Sequence, residues 1–256
     1  MTKQILTFIG GDCRMRAARE VVEGAGVTVE DWPCEGFTHL VMPLPAFSGD
    51  CVRGGPTVSE VLEQLRPGTI VLGGVLQPHR AVLEAAGATL LDYFEEEALV
   101  AANGEITAEG AVSLAMERLP VTLSGATCLV LGWGRIGQLL ARKLGLLGAR
   151  VTVAARKPKD LGLIQAMGYA ALPMGRWAEL HRFRVIFNTV PAPILDRETL
   201  LQTHTECLLI ELAQGMAPVR ERPYIRASGL PGIYAPETAG RLIGQTILTL
   251  IERSPS

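Results

Sequence analysis

The sequence predicts an α/β protein built as two lobes, each formed around a parallel β-sheet. Three observations predict this class: short apolar runs alternate with helix-like patterns, glycine and proline recur between them, and the two halves differ in charge. Residues 1–118 hold 8 basic and 17 acidic side chains, whereas residues 119–256 hold 16 basic and 9 acidic ones. Net charges of −9 and +7 indicate two domains with different partners.

In the first half, strands are predicted where apolar residues cluster and end at glycine or proline. Helices are predicted where apolar residues recur every three or four positions. The predicted strands are 5–11, 27–32, 38–45, 69–74 and 88–94, and the predicted helices are 14–26, 57–68, 78–87 and 107–119. A loop is predicted over 48–56. Strands that alternate with helices are typical of a parallel sheet.

A second α/β series follows in the other half. Its predicted strands are 127–132, 150–156, 184–190 and 207–213, and its predicted helices are 135–148, 160–167, 196–202 and 241–253. A loop rich in glycine and proline is predicted over 228–240. The predicted domains are therefore residues 1–118, residues 119–240, and a C-terminal helix, 241–256, which is expected to return to the first lobe.

The composition excludes several classes of protein. The 28 glycines and 16 prolines follow no repeating period, which excludes a collagen-like protein. No uninterrupted run of 18 apolar residues, the length that a transmembrane helix needs, occurs in the sequence. Asp12 and Arg14 interrupt the N-terminus too early for a signal peptide, so a cytoplasmic protein is expected. The five cysteines and four histidines are scattered, so no metal is expected. Because neither a Lys/Arg run nor a basic stretch with interleaved aromatic residues occurs, we expect no nucleic-acid partner. Because no apolar run of membrane-spanning length occurs, we expect no membrane partner.

The sharpest motif is a GxGxxG sequence at residues 132–137, between a predicted strand and a predicted helix. In this setting the first glycine permits a tight turn and the second lets the backbone approach a pyrophosphate. The third allows close contact between helix and strand, and the helix N-terminus supplies N–H donors. The motif predicts a Rossmann dinucleotide-binding domain that uses Gly132, Gly134, Arg135, Ile136 and Gly137. An ordinary strand-to-helix turn is the alternative.

The end of the next strand predicts which dinucleotide binds. NAD sites place an acidic residue there to hold the ribose 2′-hydroxyl, whereas an arginine accommodates the 2′-phosphate of NADP. This strand ends in Arg156 and Lys157, without a carboxylate. We therefore predict NADP as the cofactor; two solvated cations at a strand end are the alternative.

Two later segments follow strands at the edge where a nicotinamide ring should lie. They contain the remaining predicted contacts of this end of the cofactor, which are Asn188, Thr189, Val190, Pro191, Leu212 and Ala213. Asn188 and Thr189 offer hydrogen bonds for a carboxamide or a substrate. Each segment could instead be a simple turn.

Several stretches of the chain resemble the A-type subunit of dipicolinate synthase of endospore-forming bacteria. They are GGDCR at 10–14, NGEITAEG at 103–110, LGWGRIGQLLARKLGLLGA at 131–149, AARK at 154–157, NTVPAPIL at 188–195 and GLPGIYAPETAG at 229–240. The similarity spans almost the whole chain in the same order. The last of these strings is the most specific, because the turn at 132–137 is shared with many dehydrogenases.

The resemblance implies a function. Members of this family oxidise a dihydrodipicolinate to pyridine-2,6-dicarboxylate with NADP during sporulation, together with a flavoprotein-like B-type subunit of dipicolinate synthase. It implies a cytoplasmic location, in the mother cell of a sporulating organism, and a homo-oligomer is left open. The spacing of the residues by itself reaches only an NADP-binding α/β protein.

The resemblance also implies candidates for the chemistry and for binding the dicarboxylate. Arg14, beside Asp12, could bind a carboxylate bidentately, or it could pair with Asp12 or Glu20 at the surface. In the loop that follows the third strand, Ser48 and Gly49 could donate hydrogen bonds, and Arg53 could bind an anion or be solvated.

Thr107 and Glu109 match the family at the start of a predicted helix. Glu109 could be a general base, or it could complement the helix dipole. In the string at 229–240, the glycines leave the backbone accessible. Pro231 and Thr238 are candidates for the substrate and Gly232 for the cofactor, and a plain loop is the alternative.

Two other functions are left open. One is an NADP-dependent dehydrogenase of a 2-hydroxy or amino acid, although no convincing pairing of histidine with carboxylate is evident around His181 or His204. The other is an NADP-binding regulatory subunit without turnover, which would need the turn and Arg156 but no cations for a substrate.

Overall fold

The computed structural model describes residues 4–177, 179–216 and 218–254. The strands are β1 (Ile5–Phe8), β2 (Thr28–Asp31), β3 (His39–Val41), β4 (Phe47–Ser48), β5 (Cys51–Val52), β6 (Ile70–Gly73), β7 (Thr89–Asp92), β8 (Thr127–Leu131), β9 (Arg150–Ala155), β10 (Ala170–Pro173), β11 (Val185–Asn188), β12 (Leu208–Glu211) and β13 (Ile225–Arg226). The α-helices are α1 (Cys13–Gly24), α2 (Val58–Gln64), α3 (Arg80–Ala85), α4 (Glu97–Arg118), α5 (Arg135–Leu146), α6 (Pro158–Ala166), α7 (Arg197–Leu201), α8 (Leu230–Tyr234) and α9 (Pro236–Arg253). Short 3-10 helices cover Gln77–His79, Tyr93–Glu95 and Leu180–Arg182.

The predicted fold class is confirmed, since the chain forms two parallel sheets. The first has the strand order β2-β1-β3-β6-β7, and its neighbouring strands all pair in parallel. The second has the order β10-β9-β8-β11-β12-β13, again parallel throughout. Counted from β8, the second order is 3-2-1-4-5-6, the order of a Rossmann dinucleotide-binding fold.

The compact units divide the chain differently from the predicted boundaries. One unit extends to Asn103 and includes the segment from Ala235 onward, and the other covers Gly104–Tyr234. The prediction placed the divisions after residues 118 and 240, at the expected ends of a linking helix and a loop. In the structure, α4 begins at Glu97, ten residues before the predicted start, and it belongs to both units.

The C-terminal helix packs within the first unit, against α1. A Cβ atom at Gly240 would lie 2.2 Å from the Arg14 carbonyl oxygen, and one at Gly244 would lie 2.6 Å from the Ala18 carbonyl oxygen. Only glycine permits this approach of two helix backbones at these positions. The next turns of α9 bury Ile247 and Ile251 in the core of this unit.

Helix α9 also begins earlier than the sequence predicts. The predicted loop at 228–240 contains α8 and the first turn of α9, which starts at Pro236. Proline is well placed there because the first N–H groups of a helix have no partner within the helix. In the predicted loop at 48–56, β4 and β5 form a short antiparallel hairpin.

Helix α5 carries the apolar pattern expected of a helix packed on a sheet. Its buried residues are Gly137, Leu140, Ala141 and Leu144, which share one face at a spacing of three and four. They join the core with buried residues of β8 and β9, such as Cys128 and Val153. This packing fixes the N-terminus of α5 at the end of β8.

Candidate functional site

The turn between β8 and α5 uses its three glycines in three different ways. Gly132 has φ of +104°, and an added Cβ would lie 2.6 Å from Thr189 Oγ1. At Gly137, a Cβ would lie 2.3 Å from the Gly132 carbonyl oxygen. At Gly134, by contrast, a Cβ would meet no described atom within 4 Å. The first and third glycines are required by packing, whereas the second faces open space.

Gly134 is also the N-cap residue of α5, with extended backbone at φ −80° and ψ −172°. Glycine has no side chain to accept a hydrogen bond from the first amides of the helix. A ligand anion can take that place, because the amides and the helix dipole both favour negative charge there. The turn therefore has the geometry and electrostatics of a site for a phosphate group.

Neighbouring strands bring further predicted residues to this turn. The Gly132 amide donates to the Ala154 carbonyl oxygen of β9 at 2.9 Å. On the other side, Thr189 donates from its amide and its hydroxyl to the Leu131 carbonyl oxygen, at 3.0 and 2.8 Å. Thr189 and Val190 lie half-buried against Gly132, and Pro191 is exposed. The strand order reverses between β8 and β11, where open α/β sheets bind their ligands.

Arg156 and Lys157 directly follow β9 at the same edge of the sheet. Both are exposed, and neither forms an ion pair with another residue in the part of the chain that the structure describes. Lys157 precedes Pro158, the first residue of α6. Their charges are thus available to an anion that comes from solvent.

Asn188 differs from the expectation that its side chain would face a cofactor. It is fully buried; Nδ2 donates to the Val190 carbonyl oxygen at 3.1 Å and to the Glu211 carboxylate at 3.0 and 3.2 Å. Its Oδ1 accepts from the Val190 amide at 3.0 Å. The amide group is therefore occupied within the protein.

Glu211 begins the segment 211–213 that was predicted to lie at the nicotinamide edge, and it is a buried residue that was not itself among the predicted cofactor contacts. It is 1% exposed and accepts hydrogen bonds from the amides of Ala213 and Met216, at 2.7 and 2.5 Å. The available signal was a carboxylate at the end of the apolar run 207–213. Leu212 and Ala213, which were predicted to contact the cofactor, are half-buried next to it.

In the first unit, Arg14 is buried and already paired. Its Nε and Nη2 donate to the Asp12 carboxylate at 3.0 and 2.7 Å, and Nη2 also donates to the Leu44 carbonyl oxygen. Burial acts to raise the pKa of Asp12, but the hydrogen bonds and charge of Arg14 outweigh it, so the pKa is lowered. Arg14 thus pairs with Asp12, as in the alternative to carboxylate binding given above, but it does so in a buried position and not at the surface.

The hairpin of β4 and β5 presents Ser48 and Gly49 to solvent. Gly49 has φ of +60°, and its carbonyl oxygen lies 3.0 Å from His79 Nε2. Arg53 follows the hairpin and is exposed, and its charge contributes to the lowered pKa of Asp12. Arg53 is therefore more accessible to an anion from solvent than Arg14 is.

Thr107 and Glu109 lie in the interior of α4 instead of at its start. The interpretation that Glu109 complements a helix N-terminus is wrong, because α4 begins twelve residues earlier at Glu97. Thr107 is buried, whereas the Glu109 side chain is 76% exposed and lies 3.6 Å from Lys143 Nζ. Glu105 is a closer partner of that ammonium, at 2.6 Å.

The string at 229–240 is divided between the two units. In α8, Pro231 is buried and Gly232 is half-buried. This helix packs on α4 at Gly110, where an added Cβ on Gly110 would lie 3.0 Å from the Tyr234 ring. Thr238 is exposed in the first turn of α9. The alternative of a plain loop is wrong, because this string is largely helical.

A cavity of about 880 Å³ lies at the opposite edge of the second sheet, where β8, β9 and β10 begin. Arg142, Arg150 and Arg182 line it, and none of the predicted site residues does. Within residues 4–177, 179–216 and 218–254, no cluster of His, Cys, Asp and Glu could hold a metal ion. Over the same residues, no helix combines the length and apolarity that crossing a membrane requires.

Comparison with known proteins adds relatives by sequence and by fold. No protein-family model matches the chain. The chain is 27% identical over 239 residues to the A-type subunit of dipicolinate synthase of Bacillus subtilis (strain 168), and this match covers 87% of this chain and 80% of that protein. The crystal structure of the corresponding dipicolinate synthase subunit from Bacillus halodurans superposes with a TM-score of 0.86 at 25% identity, over 99% of both chains.

More distant structures share the fold alone. A transhydrogenase from Sinorhizobium meliloti superposes with a TM-score of 0.69 at 13% identity, over 96% of this chain and 92% of that one. The strings that suggested a family from the sequence are consistent with the first two comparisons. By sequence over most of its length and by fold over nearly all of it, the chain is similar to the A-type subunits of dipicolinate synthase.

Proposed function

We propose that the protein is an NADP-dependent oxidoreductase that oxidises dihydrodipicolinate to pyridine-2,6-dicarboxylate, working with a flavoprotein-like B-type subunit in the cytoplasm of a sporulating cell. The observation that carries the cofactor part is the open space at Gly134, at the N-terminus of α5, between two glycines fixed by packing. The substrate part rests on the similarity to the A-type subunits of dipicolinate synthase.

The residues of the turn fit a dinucleotide diphosphate. The N-terminal amides of α5 would hold its charge, and the absence of a side chain at Gly134 lets the backbone come close. Arg156 and Lys157 would receive the 2′-phosphate, since both are exposed and neither has an ion-pair partner among the described residues. A carboxylate at the same place would repel that phosphate, which favours NADP over NAD.

When bound, the nicotinamide accepts a hydride at C4, which is the redox chemistry that the protein itself lacks. Oxidation of the dihydro ring removes one hydride and one proton, and the product gains an aromatic ring. The protein therefore has to align two rings and to hold two carboxylates. The exposed Pro191 and the half-buried Leu212 and Ala213 lie at the sheet edge where the nicotinamide ring would rest.

The proton acceptor is a separate question from the cofactor. Glu109 is a candidate for the general base because its carboxylate is exposed, although the carboxylate lies 3.6 Å from the ammonium group of Lys143. The proposed function does not depend on this residue, since aromatisation drives loss of the proton and water can accept it.

A regulatory subunit without turnover is the second candidate, and one observation favours it. Two cations, Arg14 and Arg53, were candidates for binding the substrate, and the structure commits Arg14 to Asp12 and Leu44. An NADP-binding sensor would need no cation for a dicarboxylate. The exposed Arg53 is what keeps substrate binding in this unit open.

The experiment combines specificity with turnover. Purified protein is titrated with NADPH and NADH, and Arg156→Asp is compared with Arg142→Asp, a charge-matched control at the opposite edge of the sheet. We expect Arg156→Asp to weaken NADPH binding by about 10-fold to 100-fold, the equivalent of one charge-assisted contact, and to spare NADH. An unchanged ratio of the two affinities would make the NADP assignment wrong.

Turnover is then measured with NADP⁺ and freshly generated dihydrodipicolinate, with and without the flavoprotein-like partner. Formation of NADPH together with pyridine dicarboxylate supports the enzyme, and a rate that appears only with the partner supports a joint enzyme. Binding of NADPH without turnover under either condition supports the sensor instead.

A further inference from the structure

Glu211 is a buried carboxylate, and its hydrogen-bond donors among the described residues are all neutral groups. It ends β12, directly opposite Asn188 at the end of β11. Its oxygens accept from the Asn188 side chain and from the amides of Ala213 and Met216. No lysine or arginine forms an ion pair with it among the residues that the structure describes. Burying such a group is costly, so its hydrogen bonds have to offset a desolvation penalty.

These hydrogen bonds join two loops at the carboxyl edge of the sheet. Asn188 uses its amide to hold Val190 through both the N–H and the C=O, while it donates to Glu211. Glu211 in turn holds the loop 212–216 at Ala213 and Met216. The loop that follows β11 and the loop that follows β12 thus share one buried carboxylate.

The two loops also touch directly. An added Cβ at Gly215 would lie 2.3 Å from the Val190 carbonyl oxygen and 2.4 Å from the Ala192 carbonyl oxygen. The preceding residue, Gln214, has φ of +61°, a conformation that costs energy for a residue with a side chain. The short loop is therefore held in a strained shape against residues 190–192, and the hydrogen bonds to Glu211 lie on either side of the strained residue.

We infer that Glu211 is a positioning residue: through Asn188 and the amides of Ala213 and Met216, it holds the loops at 189–192 and 212–216 in the shape that receives the nicotinamide end of the dinucleotide. This inference rests on the proposed function. Neither Glu211 nor Asn188 has to touch the ligand, because both are buried. A neutral amide at position 211 would present an NH₂ group to N–H donors and would leave one of them without an acceptor.

The inference separates the two ends of the ligand. In the proposed binding mode the adenosine end would lie toward Arg156, after β9, and the nicotinamide end toward β11 and β12, on the other side of β8 in the strand order. Loss of the carboxylate should therefore weaken a ligand that contains nicotinamide and spare one that lacks it. A role in general stability would weaken both ligands alike.

The test compares NADPH with 2′-phospho-ADP-ribose, which lacks the nicotinamide ring, by titration calorimetry. We expect Glu211→Gln to weaken NADPH binding by at least 10-fold and 2′-phospho-ADP-ribose binding by less than 2-fold. The matched control is Glu198→Gln, on the exposed surface of α7, which should change neither affinity. Equal losses for both ligands, or no loss for either, would overturn the inference.

Two further measurements keep the test decisive. If Glu211→Gln does not fold, as judged by circular dichroism, Glu211→Asp retains the charge but shortens its reach, and a selective loss of NADPH affinity of about 3-fold is expected. A loss shared equally by both ligands would refute the inference there as well. If the unaltered protein binds neither ligand, the proposed function itself is wrong, and this result is distinct from a failure of the variants.

Discussion

The different surroundings of Gly134 and Gly137 make a prediction that separates a ligand site from a packing site. At Gly137 a methyl group would lie 2.3 Å from a backbone oxygen, and backbone cannot move aside cheaply. At Gly134 the same methyl group meets nothing within 4 Å in the described structure, and φ of −80° suits alanine. We predict that Gly137→Ala destabilises the protein and that Gly134→Ala chiefly weakens dinucleotide binding.

The magnitudes follow from these surroundings. Overpacking at Gly137 should cost about 1–3 kcal/mol of unfolding free energy or more. At Gly134, alanine is a poorer N-cap than glycine, by about 1 kcal/mol, but it lowers the entropy of the unfolded chain by a similar amount, so the net change should lie near zero. A pyrophosphate against Gly134 would meet the new methyl group, and the same overpacking cost of about 1–3 kcal/mol would lower affinity by about 5-fold to 150-fold.

The assay measures thermal unfolding without ligand and NADPH affinity by calorimetry for both variants. For a chain of this length, 1 kcal/mol corresponds to about 2–4 °C, so Gly137→Ala should lower Tm by at least about 2 °C. Gly134→Ala should keep its Tm and lose affinity. If Gly134→Ala binds NADPH like the unaltered protein, the backbone there does not approach a pyrophosphate, and our reasoning about the turn is refuted.

Three further predictions concern the first unit and helix α4. Gly240→Ala should reduce the unfolding free energy in urea by about 1–3 kcal/mol, because its Cβ would clash with the Arg14 carbonyl oxygen, whereas Gly162→Ala, in open space on α6, should stabilise by up to about 1 kcal/mol. Since the pKa of Asp12 is lowered on folding, the contribution of this carboxylate to stability is present above about pH 4 and is lost as the pH falls through the folded-state pKa. Asp12→Asn should therefore reduce the loss of unfolding free energy that the unaltered protein shows at acid pH. The same loss at acid pH in both proteins would contradict this. Glu109→Gln should change the unfolding free energy by no more than about 0.5 kcal/mol and spare NADPH binding, because the ion pair of Glu109 with Lys143 is exposed. A large drop in kcat would identify Glu109 as the general base, and an unchanged kcat would remove it from the mechanism.

The sequence predicts the fold class well because its signals are local. Apolar runs locate most of the strands, and the glycine spacing at 132–137 locates the turn to the residue. It fails where packing overrides local signals. The helix predicted to start at residue 107 begins at Glu97, so the Asn103–Gly104 pair lies inside α4. The prolines at 231 and 236 favour a loop but lie in the first turns of α8 and α9.

Site residues are harder to predict than the fold, because the sequence does not show where a polar side chain finds its partner. Arg14 and Asn188 carry groups suited to ligands, yet each is occupied within the protein, by Asp12 and by Glu211 respectively. Their partners are two residues away in one case and on a neighbouring strand in the other. A pattern of residue types contains neither the distance nor the burial that decides between these roles.

The resemblance to a family requires a similar distinction. Gly110 and Gly240 both belong to strings shared with that family, and both permit close packing of helices. Gly134 also belongs to such a string, but the space around it is open. A shared glycine therefore indicates a ligand only where a Cβ would have met no protein atom.

The cations of the first unit distinguish an enzyme, which must bind a substrate with two carboxylates, from a sensor, which binds only the dinucleotide. A substrate with two carboxylates needs cations or N–H donors that are free to turn toward it. Removing the Asp12 carboxylate would release the Arg14 guanidinium, but the group would stay buried beside Leu44. An enzyme must therefore recruit Arg53, the amides near Gly49, or groups outside those we predicted, whereas a sensor needs none of them. Loss of turnover in Arg53→Ala, with NADPH affinity intact, is the result that only the enzyme allows.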